Sequence, residues 1–223
     1  WGTGEAVLSG SETISGWKKG ATHKNIPDAG KVWWADLNYL PRYVWVVDQQ
    51  GKVTNVPIAR TPNWKVSDPE DVMSEWWKLE QPQWWEQAKH QVKVGRTLMH
   101  RGTDAKHLTK SADYYVGAKI WSEWGIVMGT PFPSLVEGYD GGRKAVAYQG
   151  MWFGSSGRSI KNNRYFLEDK PHYLDSAGEH WFEKKGEGGR LFIRLPGDAD
   201  PNRARVEAAK RYSIIEDVCS AKA

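Results

Sequence analysis

Paired tryptophans are the feature that most restricts how this chain can fold. The sequence holds 14 tryptophans among 223 residues, and WW dipeptides occur at 33–34, 76–77 and 84–85. On an α-helix neighbouring side chains point about 100° apart, so both rings of a pair cannot enter one narrow core stripe. Each pair therefore presents aromatic surface in two directions, and we expect one direction to face the chain's own core.

The second direction has three interpretations. The second ring closes the edge of the same core, or it contacts another protein, or it forms a platform on which a ligand stacks. Tryptophan suits a protein interface because it buries a large area with little side-chain entropy to lose and keeps an N–H donor. The predicted partner-binding residues are the six members of the pairs, namely Trp33, Trp34, Trp76, Trp77, Trp84 and Trp85.

Residues 67–100 have the pattern of two helices broken by a proline. Ser67 and Glu70 have the spacing of a capping box, which predicts the start of a helix. Pro82 lacks an amide donor and disfavours helical geometry in the residue before it, so the first helix should end there. A second helix is expected from about Gln83 to His100. We therefore predict a proline-broken helix pair over about 68–100.

Strand patterns dominate the rest of the chain. Residues 43–58 predict a β-hairpin around a polar turn that contains Gly51, and residues 114–195 hold several apolar runs separated by turn residues. Asp200-Pro201 predicts the start of a C-terminal helix over about 201–219. This order favours an α+β fold with an antiparallel, β-rich domain. We expect an irregular N-terminal extension at 1–42 and a single domain at 43–223.

Composition argues against several classes of protein. With Cys219 as its one cysteine, the chain has no intramolecular disulfide and no four-cysteine zinc site. His90, His100 and His107 lack the i, i+4 spacing of a zinc-binding helix. No stretch reaches the roughly 20 apolar residues that a membrane-spanning helix needs. The net charge of +4 comes from interspersed signs. We expect no metal, no cofactor and no specific nucleic-acid partner.

Recognisable catalytic spacing is absent from the sequence. Glu123, Glu137 and Asp140 lie beside aromatic residues or turns, which is compatible with a glycosidase. Such an enzyme needs two carboxyl groups about 5 to 9.5 Å apart across a cleft, and sequence alone does not give that distance. The absence of other motifs favours a protein that is not an enzyme.

These observations together predict a non-catalytic accessory or structural subunit of a larger multi-protein assembly, which binds other subunits through its tryptophan-rich surfaces. Contact with a membrane would then be peripheral and made through the complex. The sequence does not begin with methionine, which suits removal of a transit peptide and an organellar (mitochondrial or plastid) location, although an artificial chain boundary explains the same fact. The alternative is an extracellular carbohydrate-binding or carbohydrate-cleaving protein with tryptophan stacking platforms.

Overall fold

The computed structural model describes residues 10–65, 67–80, 92–94, 97–123, 131–148 and 162–211. The chain divides into two compact units. Unit 1 consists of Trp1–Ile58 and Leu174–Ala223, and unit 2 consists of Ala59–Tyr173. Strands dominate both units, and within the described ranges the one α-helix is α1, Ala112–Tyr115.

Strands are numbered in chain order, and every pairing between them is antiparallel. They are β1 (Ser11–Ile14), β2 (Lys18–Lys19), β3 (Trp33–Leu37), β4 (Val44–Val47), β5 (Val53–Val56), β6 (Arg60–Thr61), β7 (Trp77–Lys78), β8 (Val92–Val94), β9 (Thr97–Thr103), β10 (Lys119–Glu123), β11 (Pro131–Asp140), β12 (Ala145–Tyr148), β13 (Arg164–Glu168), β14 (Glu179–Lys185), β15 (Gly188–Arg194) and β16 (Arg205–Ala209).

Unit 1 contains two four-stranded sheets, in the orders β1-β16-β4-β5 and β14-β15-β3-β2. Both sheets contribute to one apolar cluster, in which Ile14, Val44 and Val206 come from the first sheet and Ala35 and Leu191 from the second. Residues 11–37 thus supply three strands to this unit. The predicted division into an extension at 1–42 and a domain at 43–223 stays a prediction.

Unit 2 is built on a larger sheet with the order β6-β13-β10-β11-β12-β9-β8, and β7 also pairs with β13. Side chains alternate between the two faces of a strand. In β13 this alternation places Tyr165 and Leu167 on one face and Arg164, Phe166 and Glu168 on the other, and Phe166 is buried as well. The fully buried side chains of the core include Leu79, Leu108, Tyr115, Ile120, Tyr148, Tyr165 and Leu167.

The predicted helix pair at about 68–100 is wrong. In the described part of that segment, residues 67–76 form turns, and strands β7, β8 and β9 follow. Asp68 and Asp71 accept hydrogen bonds from the amides of Glu70 and Met73, two residues onward. Such local bonds compete with the helical hydrogen-bond pattern and favour turns. Residues 81–91, which include Pro82, lie outside the described ranges.

The predicted C-terminal helix is also wrong over its described part. Asp200 accepts a hydrogen bond from the amide of Asn202, but one 3-10 turn, Pro201–Arg203, is all that follows. Strand β16 begins two residues later, with Val206 and Ala208 buried in alternation. A period of two is the pattern of a strand with one buried face. The predicted α+β class is therefore replaced by a mostly β fold.

The β-hairpin predicted at 43–58 is confirmed. Strands β4 and β5 pair from Val44 opposite Val56 to Val47 opposite Val53. The turn between them is closed by Asp48, whose Oδ1 accepts hydrogen bonds from the amides of Gln50 and Lys52. No helix within the described residues is long and apolar enough to cross a membrane.

Candidate functional site

A groove of about 690 Å³ opens in unit 2. Residues 77–80 run along it and are held on both sides by backbone hydrogen bonds. Leu79 exchanges bonds with Asn162 and Asn163 of the segment that leads into β13, and the amide of Glu80 donates to the carbonyl of Thr103 at the end of β9. The groove therefore lies where three separate segments of the chain meet. Its polar lining comprises Ser74, Glu75, Lys78, Glu80, Asp104, Lys106, His107 and Asn162.

The aromatic part of the lining centres on Trp77. Its indole lies flat against the imidazole of His107, with ring centroids 4.6 Å apart and an interplanar angle of 5°. The ring of Tyr165 packs edge-on to the same indole at 5.8 Å and 69°. Trp77 is half-buried, so these two contacts fix the orientation of a ring that still lines the groove.

Asp104 is a buried acceptor that holds the residues on this side of the groove in place. Its carboxylate is 1% exposed, and Oδ1 accepts hydrogen bonds from the amides of Lys106 and His107. Oδ2 accepts from the hydroxyl of Tyr165 and lies 2.8 Å from Nδ1 of His107. Burial raises the pKa of Tyr165 well above its usual value, so this hydroxyl stays a donor.

The contact with Asp104 also determines which ring nitrogen of His107 can form a hydrogen bond with a ligand. An ionised carboxylate only accepts hydrogen bonds, so we assign the imidazole proton to Nδ1. The second nitrogen, Nε2, lies on the other side of the ring and can exchange one hydrogen bond with a molecule in the groove. His107 is therefore both the support for Trp77 and a polar contact in its own right.

The remaining polar groups offer hydrogen-bond donors and acceptors rather than one strong charge. Glu80 accepts from the amide of Ala105 at 2.8 Å, and Glu75 contacts the hydroxyl of Ser67. Lys78 and Lys106 are exposed and line the same groove. A flat aromatic ring surrounded by neutral and charged hydrogen-bonding groups suits a ligand with an apolar face and many hydroxyl groups.

The predicted pair Trp76 and Trp77 divides between the two faces of the sheet. Trp77 packs against Tyr165, whereas Trp76 packs edge-on to Phe166, with centroids 4.5 Å apart. Adjacent residues of an extended segment point in opposite directions, so the divergence does not need a helix. The predicted residues Trp84 and Trp85 lie outside the described ranges.

The other predicted pair, Trp33 and Trp34, lies on β3 in unit 1. The ring of Trp33 packs against the apolar cluster of that unit. Trp34 has the guanidinium of Arg190 at 3.7 Å and the ammonium of Lys18 at 4.6 Å from its ring centroid. Both rings are half-buried, and both already have protein neighbours that account for their positions. Their predicted role in binding a partner stays a prediction.

The three carboxylates that suggested glycosidase chemistry, Glu123, Glu137 and Asp140, lie in three different environments. Glu123 is 1% exposed and makes a two-pronged ion pair with Arg164, with distances of 2.9 and 3.1 Å. Asp140 closes an exposed turn by pairing with Arg143. Glu137 is exposed on β11. Glu123 is therefore a buried partner of Arg164 in this fold.

Sequence reasoning missed Asp104, Tyr165 and the role of His107. The sequence DAKH at 104–107 has an acid three residues before a histidine, and this spacing is a local signal for the contact between Asp104 and His107. Nothing local indicates that Tyr165 and Trp77 join it, because those contacts depend on the pairing of β7 with β13. Among the described residues no cluster of three or more His, Cys, Asp or Glu side chains could hold a metal ion.

Comparison with known proteins gives a likeness at the level of fold. No family model matches the sequence, and no curated protein matches it. A solved structure described as a glycoside hydrolase matches 89% of this chain with a TM-score of 0.56 and 16% sequence identity. This chain covers 31% of that protein. At 16% identity the match shows a similarity of fold alone. The chain corresponds to about a third of the length of that larger protein.

Proposed function

We propose that unit 2 binds carbohydrate in the groove beside Trp77 and acts without cleaving it. The observation that carries this proposal is the indole of Trp77, held flat against His107 at 4.6 Å within a groove of about 690 Å³. That volume falls in the range typical of small-ligand sites, which is about 300 to 1,000 Å³.

The physical basis is the two-sided chemistry of a sugar ring. One face of a pyranose carries C–H groups that pack against an aromatic ring, while its hydroxyl groups need hydrogen-bond partners at the edge. Trp77 supplies the ring, and Glu75, Lys78, Lys106 and Asn162 line the groove around it. Because His107 and Tyr165 already fix the indole, little conformational entropy remains to be lost on binding.

The comparison gives mild support to a carbohydrate-related role. The structurally similar protein is described as a glycoside hydrolase, and this chain covers 31% of it. We propose binding rather than cleavage because Glu123, the buried carboxylate of the glycosidase hypothesis, is paired with Arg164. The predicted role as a subunit that binds other proteins stays a separate prediction.

The experiment is a titration of the purified chain with neutral oligosaccharides of glucose, xylose and mannose, followed by calorimetry and by tryptophan fluorescence. We expect at least one series to bind and Trp77→Ala to weaken that binding about tenfold or more. Trp77→Phe, which keeps a ring, should lose less. Trp34→Ala, a half-buried tryptophan of unit 1, is the matched control and should bind as the wild type does.

Circular dichroism and thermal unfolding of each variant separate a lost contact from a lost fold. The proposal is wrong if no saccharide in the panel binds, or if a folded Trp77→Ala protein keeps the wild-type affinity.

A further inference from the structure

We propose that the ligand of the groove is an extended polysaccharide, whose chain continues past Trp76 onto a second aromatic surface of unit 2. This inference rests on the proposed carbohydrate binding and specifies the class of ligand. We call the second area the Trp64 surface. It consists of Arg60, Trp64, Trp76, Trp121 and Phe166.

Arg60 holds the Trp64 surface together. Its guanidinium carbon lies 3.6 Å from the centroid of Phe166, 4.8 Å from that of Trp64 and 5.5 Å from that of Trp76. The side chain is 4% exposed, and its Nε donates a hydrogen bond to the carbonyl of Pro62. A buried guanidinium in contact with three aromatic rings fixes their positions relative to one another.

Trp64 differs from the other rings in its exposure. It is 52% exposed although a buried cation lies against it. A ring that only completed the core would be covered, whereas a ring oriented from one side and open on the other can receive a ligand. Its outward surface is therefore preformed.

Trp76 belongs both to the Trp64 surface and to the lining of the groove, although its ring points away from that of Trp77. Trp76 and Pro62 both line the groove, and Trp76 also belongs to the set of rings around Arg60. The centroids of Trp64 and Trp76 are no farther apart than the sum of their two distances to the guanidinium carbon. Consecutive rings of one oligosaccharide can span that separation, so a single chain can contact both Trp64 and Trp76, which lines the groove.

The surroundings of Trp121 favour a hydroxylated ligand over a protein partner. Trp121 lies nearly parallel to Phe166. The half-buried Glu168 pairs with Lys119 two positions before Trp121, and Lys119 makes a half-buried ion pair with Asp169. The centres of protein interfaces are depleted of Lys, Glu and Asp. Aromatic rings that alternate with hydrogen-bonding groups instead match the alternating faces and edges of a sugar chain.

The experiment measures affinity against chain length for whichever oligosaccharide series binds, from the disaccharide to chains of about eight units. We expect affinity of the wild type to rise with length beyond the trisaccharide, because longer chains reach Trp64. Trp64→Ala should bind short chains normally and lose about tenfold for the longest ones. Trp77→Ala should weaken binding at every length. Tyr43→Ala, which removes a 68% exposed ring from unit 1, should change nothing.

Several outcomes overturn the inference while leaving carbohydrate binding in place. They are a wild-type affinity that stops rising at the trisaccharide, and a folded Trp64→Ala protein that matches the wild type at every length. A Trp64→Ala protein with normal glycan binding and altered sedimentation would assign this surface to a protein contact and would likewise overturn the inference. If no length binds at all, the proposed function itself fails.

Discussion

The hydroxyl of Tyr165 donates a hydrogen bond of 2.8 Å to Oδ2 of Asp104, 61 residues away in the sequence. The same oxygen lies 2.8 Å from Nδ1 of His107, whose ring supports Trp77. One buried carboxylate thus connects β13, the turn at 104–107 and the stacking ring of the groove.

Replacing Asp104 with alanine should destabilise unit 2 by about 3 kcal/mol, because the buried hydroxyl of Tyr165 and the half-buried ring N–H of His107 lose their acceptor. Urea unfolding measures the change in the free energy of unfolding. Asp140→Ala is the matched control, since Asp140 also accepts from two amides of its own turn but does so at the surface. It should have little effect. Equal losses in the two variants would contradict the assigned role of Asp104.

Replacing Glu123 with glutamine should cost about 2 kcal/mol, because the guanidinium of Arg164 loses its buried partner and keeps only the more exposed Asp71. The ion pair between Lys119 and Asp169 is just as short, at 2.7 Å, but the two side chains are 44% and 32% exposed. Lys119→Gln should therefore cost less than about 1 kcal/mol. Chemical denaturation of both variants tests the contrast, and a larger loss in Lys119→Gln would show that burial does not govern these pairs.

Gly188 is required where β15 begins, because a Cβ there would lie 2.2 Å from the carbonyl oxygen of Leu37. Gly188→Ala should destabilise unit 1 by about 3 kcal/mol, since β3 and β15 would have to separate. Gly186 has a positive φ of 63° and no neighbour within 4 Å, so Gly186→Ala should cost only about 1 kcal/mol. Thermal unfolding compares the two variants. The reverse order of stability would refute the close approach of the two strands.

Burial raises the pKa of the Glu168 carboxyl above its ordinary value of 4.5, while the Trp121 indole and Lys119 act in the opposite direction. The folded state then holds this proton more tightly than the unfolded state does. Its contribution to stability is complete below the unfolded pKa and is lost as the pH rises through the folded pKa.

Glu168→Gln removes this titration, so its melting temperature relative to the wild type should increase from about pH 4 to about pH 8. The difference between the two proteins cancels other groups that titrate in the same range. A difference that stays constant with pH would contradict the raised pKa of Glu168.

Local sequence was sufficient where the deciding interactions are themselves local. The hairpin of β4 and β5 follows from two β-branched runs around a turn that Asp48 closes with its own side chain. The divergence of Trp76 and Trp77 was also predictable, since adjacent side chains diverge in a strand as they do in a helix.

Tertiary structure decided the segments in which local signals conflict. Ser67 and Pro201 both stand where a helix can start, but Trp77 pairs with Tyr165 and Val206 pairs with Val46, so both segments end as strands of a sheet. A strand gains its hydrogen bonds from partners far along the chain, and no window of neighbouring residues contains them. For the same reason the sequence showed the tryptophans, whereas only the fold brought Trp77 to His107 and Tyr165 to Asp104.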